Sequence, residues 1–231
     1  LKYAFPLLPP VSVPVAGTDL SFPVHRIYCV GRNYAEHAKE MGFTGREPPF
    51  FFMKPADALV VVGAGCVGEI PYPPGTRSLH HEIELVIAIG QGGHDIAAAD
   101  AMRHVYGYAV GLDMTRRDLQ NEAKKLGRPW EIGKSHDASA PIGPIIPREQ
   151  AGDATDAAIS LSVNDETRQS SSTSQLIWSI GEIVEHLSRY WTLLPGDLIF
   201  TGTPEGVGEV RSGDLMRGRV EGVGALDVRI V

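Results

Sequence analysis

No apolar run in these 231 residues approaches the roughly 20 that a membrane-spanning helix requires. Cysteine is nearly absent: Cys29 sits in the apolar run Ile27-Tyr28-Cys29-Val30 and Cys66 in a glycine-rich turn. Two unpatterned cysteines exclude a disulfide framework and fit reduced thiols in a cytoplasmic protein. Positive charge is also in short supply, with 21 Lys and Arg against 28 Asp and Glu and a net charge of −7. A nucleic-acid footprint would show basic clusters. The nearest approach, Arg116-Arg117 with Lys124-Lys125, reads as one exposed helix face. No signal-peptide pattern, internal repeat or interdomain linker is visible. With 43% hydrophobic residues, the chain is long enough for one well-buried core.

What is present is a succession of short apolar segments punctuated by glycine and proline. Residues 1–22 are proline-rich and aperiodic, and read as an arm on a single domain spanning 23–231. Strands are expected at Arg26–Val30, Phe50–Met53, Leu59–Val62, Val105–Leu112 and Leu198–Phe200. Asn164-Asp165, two residues tolerant of positive φ, predict a hairpin between Ile159–Val163 and Thr167–Ser170. Helices are expected at Asn33–Met41, at Thr115–Leu126 and most clearly at Ser174–Trp191. In the last, Leu176, Ile177, Ile180, Ile183, Val184 and Leu187 form an apolar stripe. Many short strands with three or four helices define a β-rich α+β domain.

The most telling stretch is His81-Glu82-Ile83-Glu84, running into Leu85-Val86-Ile87-Ala88-Ile89. Side chains alternate along a strand, so Glu82 and Glu84 share a face that Val86 and Ala88 continue. Two carboxylates at the mouth of an apolar surface are costly unless a positive group compensates them. A hard divalent cation would do so. Asp113, at the end of the apolar run Val105–Leu112, supplies a third ligand. A set of three carboxylates suits Mg²⁺ or Mn²⁺, or Ca²⁺ with more ligands, better than zinc. Two surface acids at a solvated strand end are the bland alternative. His80 and His81 are expected in supporting or packing roles.

A second pair, His37 and Glu40, stands three residues apart on an expected helix, where the carboxylate can raise the basicity of the imidazole. Such a pair can activate water as a general base, although the same spacing is common on solvated helices. Lys54, Lys134, Arg117 and Gln120 form a cationic and polar set, with Arg117 and Gln120 one turn apart after Asp113. Phe200 to Gly206 is either a turn whose N–H groups hold a carboxylate or a bare turn.

In this order and spacing the motifs resemble the fumarylacetoacetate hydrolase family over about Arg26 to Val231. The matching stretches are Gly31-Arg32-Asn33-Tyr34 with His37 and Glu40, Lys54-Pro55, His80-His81-Glu82-Ile83-Glu84, Gly111-Leu112-Asp113-Met114-Thr115 with Arg117 and Gln120, Lys134-Ser135-His136-Asp137, and Thr201-Gly202-Thr203-Pro204. Arg46 to Asp57 is similar to bacterial members of the short acylpyruvase branch. The resemblance implies a mixed β-roll or sandwich with flanking helices, a homodimer, and Mg²⁺ or Mn²⁺ on Glu82, Glu84 and Asp113, with Ca²⁺ as a crystallographic substitute. It implies a lid dyad of His37 and Glu40, charge stabilisation by Lys134, and substrate contacts from Arg32, Lys54, Arg117, Gln120 and Thr203.

The expected activity is hydrolysis of the C–C bond of a 3-acylpyruvate, foremost fumarylpyruvate to fumarate and pyruvate, in aromatic catabolism. The alternatives are decarboxylation of oxaloacetate or a related 2-oxo diacid, tautomerisation of a 2-hydroxydienoate, or non-catalytic binding of a metal or oxo acid. The expected partner is a small 2-oxo acid, with neither nucleic acid nor membrane.

Overall fold

The structure is a computed structural model that describes residues 2–6, 8–35 and 46–231. Its centre is an eight-stranded mixed sheet. In order across it run Phe50–Lys54, Ile27–Gly31, Leu198–Phe200, Ile83–Ile89, Val105–Leu112, Ala140–Ile142 and Leu59–Val61, with Ile146–Pro147 also pairing to Val105–Leu112. The Ile83–Ile89 strand lies in the middle and is buried along its whole length. Its β-branched run therefore has two apolar environments to fill, one on each face.

Side-chain alternation sorts that strand between two cores. Leu85, Ile87 and Ile89 face a large cluster. It is closed by a five-stranded sheet carrying Ile159, Leu161, Met216, Val228 and Ile230, and by the helix Ile180–Tyr190 through Ile183, Val184 and Leu187. Val86 and Ala88 face a smaller cluster with Cys29, Phe52, Ala109 and Phe200. This second face leads out to Glu84. The N-terminal segment contributes to it: Ser12–Pro14 pairs with Ser21–Pro23, and Val13 and Phe22 seal the smaller cluster.

The hairpin turn has Asn164 at φ 51° and Asp165 at φ 69°, the double positive φ of a tight two-residue connection. The expected long helix over Ser174–Trp191 is shorter, covering Ile180–Tyr190. Ser179 and Glu182 close a reciprocal capping box that sets its start. Ahead of it, the backbone of Ile177 and Trp178 is occupied by Asn33, which accepts from Trp178 N–H at 2.8 Å and donates to Trp178 O at 3.0 Å. Leu176 and Ile177 thus fit the helical period but belong to the segment that holds Asn33. The Thr115–Leu126 expectation likewise resolves into a two-residue strand and a helix over Arg117–Lys125.

Candidate active site

The geometry of the central sheet gathers the three acids. Ile83–Ile89 and Val105–Leu112 pair antiparallel with Ile83 opposite Leu112, so Glu82 and Glu84 meet Asp113 where the second strand ends. Asp113 N–H donates to Glu82 O at 2.9 Å, which ties the two strand ends together. One carboxylate oxygen from each of Glu82, Glu84 and Asp113 lies within 4.8 Å of the others, and all three residues are buried.

The carboxylates are unequally compensated. Lys134 donates to Glu82 Oε2 and to Asp113 Oδ2, each at 2.6 Å. Arg117 forms an ion pair with Glu82 and donates to Gln120 Oε1 at 2.6 Å. Lys54 Nζ lies 2.9 Å from Asp113 Oδ1. Glu84 has one hydrogen bond among the described residues, from Gly202 N–H at 2.7 Å. Burial, with Asp113 and Glu82 as like-charged neighbours, pushes the Glu84 carboxyl well above the usual range. For Lys134, burial would lower the pKa, but the Asp113 and Glu82 carboxylates outweigh it and hold the ammonium charged.

This donor set fits a hard divalent cation. Three carboxylate oxygens converge, Glu84 is short of positive partners, and the cavity between them has a volume of ≈ 20 Å³, about one water-sized sphere. His80 and His81 are not part of it. His80 Nδ1 accepts from Arg117 Nε at 3.4 Å, and His81 Nδ1 lies 2.9 Å from Gln169 Oε1. Desolvation lowers both imidazoles to about 4, so both are neutral.

Around the acids stand Arg32, Phe52, Arg117, Gln120, Trp130, Lys134 and Thr203, which share the small cavity. Arg32, Phe52 and Trp130 also line a wider one of ≈ 490 Å³ with Phe50, Phe51, Pro129 and Glu131. Lys54 stands against Asp113, its ammonium also donating to the carbonyls of Lys134 and Met114, and it does not line either cavity. His37 and Glu40 lie outside the described residues.

Two contributors, Gln169 and Lys124, were not singled out from the sequence, and a third, Gly202, supplies the carboxylate-holding N–H expected of the Phe200–Gly206 turn. Gln169, fully buried, accepts from Ile83 N–H at 3.1 Å and donates to Thr203 Oγ1 at 2.8 Å, so it ties the five-stranded sheet to the cavity wall. No local pattern marks it, because its hairpin strand looks like any other. Gly202 has φ 101°, and a Cβ there would sit 2.8 Å from that of Asn33; only glycine brings this N–H to Glu84. Lys124 does not belong to an exposed face as the basic pairs suggested. Its ammonium is hidden from solvent with no hydrogen bond among the described residues, 4.9 Å from the centroid of the Trp130 ring. The spacing from Arg117 and Gln120 places all three on one helix stripe.

The family description Fumarylacetoacetate (FAA) hydrolase C-terminal matches residues 26–231. The chain belongs to that family and is an enzyme of the carbon–carbon bond hydrolase class. Its fold is that of the Mn²⁺ and pyruvate complex of fumarylpyruvate hydrolase from Pseudomonas aeruginosa, with a TM-score of 0.98 and 59% identity over 100% of this chain and 99% of that one. It is 46% identical over 184 residues to a fumarylpyruvate hydrolase of Ralstonia sp, covering 80% of this chain and 93% of the relative. It is also 43% identical over 199 residues to a mitochondrial oxaloacetate tautomerase of Oryza sativa subsp. japonica, covering 86% and 87% of the two chains.

Proposed function

We propose that the protein hydrolyses 3-acylpyruvates, with fumarylpyruvate as substrate and fumarate and pyruvate as products. The observation that carries this reading is the pairing of two cavities: a small, charged one at the three carboxylates, sized for a cation, which shares Arg32, Phe52 and Trp130 with a wide aromatic one that has room for an acylpyruvate. Oxaloacetate would leave the second cavity unused.

Glu82, Glu84 and Asp113 would hold Mg²⁺ or Mn²⁺, as the Mn²⁺ and pyruvate complex of the Pseudomonas aeruginosa relative supports. When bound, the ion supplies Lewis-acid polarisation of the keto oxygen and stabilises enolate charge. The chain's own residues do the rest. Arg117 and Gln120, side by side on one helix face, receive the C1 carboxylate. Thr203 accepts from Gln169 and keeps its own O–H to donate to the pyruvate end. His37, supported by Glu40, takes a proton from a water whose oxygen attacks the C4 carbonyl. The C3–C4 bond then breaks, its electron pair passing to the pyruvate fragment as an enolate that is protonated at C3. Lys134 places its ammonium where that negative charge develops.

The second reading, keto–enol tautomerisation of oxaloacetate, is favoured by the rice relative and needs no attacking water. One assay separates the two. The protein with Mg²⁺ is given fumarylpyruvate, acetylpyruvate and oxaloacetate while pyruvate release, carbon dioxide and the enol absorbance are followed. Release of pyruvate from an acylpyruvate is the expected result. Enol loss from oxaloacetate with no cleavage of any acylpyruvate would overturn the hydrolase reading. Within the site, His37→Ala should lower cleavage by roughly 10²-fold or more, the scale of general-base loss. An intact rate would place the base elsewhere.

A further inference from the structure

Ser78, His80 and Glu82 are spaced two apart, so they share one face of the short strand Leu79–His81 and its continuation. The helix Arg117–Lys125 starts beside that strand, because Thr115 and Arg116 pair with His80 and Leu79. Arg117 reaches the shared face and is held at three nitrogens. Its Nε donates to His80 Nδ1 at 3.4 Å, its Nη1 donates to Gln120 Oε1 at 2.6 Å, and its Nη2 pairs with Glu82. Among the described residues this leaves one N–H on each terminal nitrogen.

The contact fixes the tautomer of His80. A guanidinium is always protonated, so Nδ1 accepts and Nε2 carries the hydrogen. Nε2 then donates to Ser78 Oγ, 3.1 Å away. Ser78 is itself moored to the helix. Its carbonyl accepts from Arg117 N–H at 2.8 Å, and its own N–H donates to Thr76 Oγ1 at 3.1 Å. Thr76 in turn donates to Asp118, whose other oxygen accepts from Arg77 N–H at 2.9 Å. The backbone and the side chain of Arg117 thus end on the same turn, one directly and one through His80. Such a ring holds the guanidinium in one orientation, so a ligand does not have to order a long, free side chain.

A neutral acceptor orients a cation and leaves its charge in place. Glu82 already takes part of the Arg117 charge, and a second acid at position 80 would take the rest. With Nε occupied by His80, an arriving carboxylate is directed to the two terminal nitrogens, the fork that binds it in bidentate fashion. We propose that His80 is a positioning residue for the C1 carboxylate of the substrate, pinning Arg117 at Nε so that its fork faces that carboxylate. The inference rests on the reading that Arg117 receives the C1 carboxylate, and it does not depend on which bond is broken.

The test uses the Mn²⁺-saturated protein and follows pyruvate binding by calorimetry, a measurement that needs no turnover. His80→Leu should weaken pyruvate about 10-fold, the scale for losing one hydrogen bond to a charged group. His80→Asn, whose amide oxygen stands near the place of Nδ1, should recover most of that loss. His80→Asp keeps an acceptor but adds a negative charge, and should weaken pyruvate at least as much as His80→Leu. A double-mutant cycle with Arg117→Met separates positioning from packing. Once Arg117 is gone, His80→Leu should cost less than about 2-fold more. Additive losses in that cycle, or unchanged pyruvate affinity in His80→Leu, would overturn the proposal. If His80→Leu does not fold, equal affinities in His80→Asn and His80→Asp overturn it. So does an Arg117→Met protein that binds pyruvate like wild type, since the carboxylate then lies elsewhere. Failure of the hydrolase reading shows in a different measurement, the absence of pyruvate release from any acylpyruvate, and the binding cycle still decides the role of His80.

Discussion

Two places in this molecule bury carboxylates, and they treat them in opposite ways. Asp197, with no exposed surface, accepts from Leu194 N–H at 2.8 Å and from Arg26 Nε and Nη2 at 3.2 and 3.0 Å. His25 Nδ1 stands 2.8 Å away. Four nitrogens thus surround that carboxylate, and one guanidinium balances its charge. Glu84 is as deeply buried but has, among the described residues, a single backbone donor and two other carboxylates for neighbours. A carboxylate buried for architecture is surrounded by partners. One buried for chemistry is left short of them, so that a cation or substrate completes its shell.

The largest effect should come from deleting a ligand at the under-compensated site. Glu82→Ala or Asp113→Ala should cost at least about 10³-fold in kcat/KM, the several kcal/mol that Lewis-acid assistance supplies. Calorimetry should show Mn²⁺ affinity falling in parallel. A fully active Glu82→Ala enzyme with unchanged Mn²⁺ affinity would remove the basis for the site.

Asp197→Asn should act on stability instead. Leaving Arg26 without its partner should cost about 2–3 kcal/mol, below the full figure for a buried pair because Arg26 and His25 keep part of their surface in water. The urea midpoint should drop while kcat per folded molecule is retained. An unaltered midpoint would mean that donors alone do not make a carboxylate architectural.

The smallest and most discriminating effect on stability is expected from Glu84→Gln, which takes away a metal ligand yet should stabilise the metal-free protein. Because the Glu84 pKa is raised on folding, the folded protein keeps a proton that the unfolded chain releases. That contribution is full below the ordinary carboxylate pKa of about 4 and is lost as pH rises through the folded value. The melting temperature of Glu84→Gln should therefore exceed that of wild type by a margin that grows from about pH 4 upward. Saturating Mn²⁺ should shrink the margin by stabilising wild type. A constant margin across pH would show that Glu84 is not strained by its neighbours.

Strand alternation alone was enough to align Glu82 and Glu84 and to predict that Val86 and Ala88 continue their face, as the smaller core bears out. Apolar runs marked Val105–Leu112 and Leu198–Phe200 with their observed bounds. Harder to see were features that depend on a distant partner. Nothing near Leu176 in sequence reveals that its segment is held by Asn33, so the apolar stripe over-extended the helix. Gln169 and Thr203 acquire meaning only when one sheet closes over the other. Lys54 carried the right charge in the right neighbourhood, and that it reaches Asp113 from outside both cavities is a distinction of depth that no spacing encodes.

The sequence by itself determined which residues could serve: a paired acid on one strand face, a third acid at a strand end, and a cationic stripe on a helix, because local periodicity decides which side chains point together. The tertiary structure decided how those groups are balanced. Burial and strand register brought three like charges within 4.8 Å, gave Asp113 two lysines and Glu84 one amide, and turned Lys124 against Trp130. Desolvation and Coulomb interaction depend on distances between residues far apart in the chain, and those distances exist only once the sheets have closed.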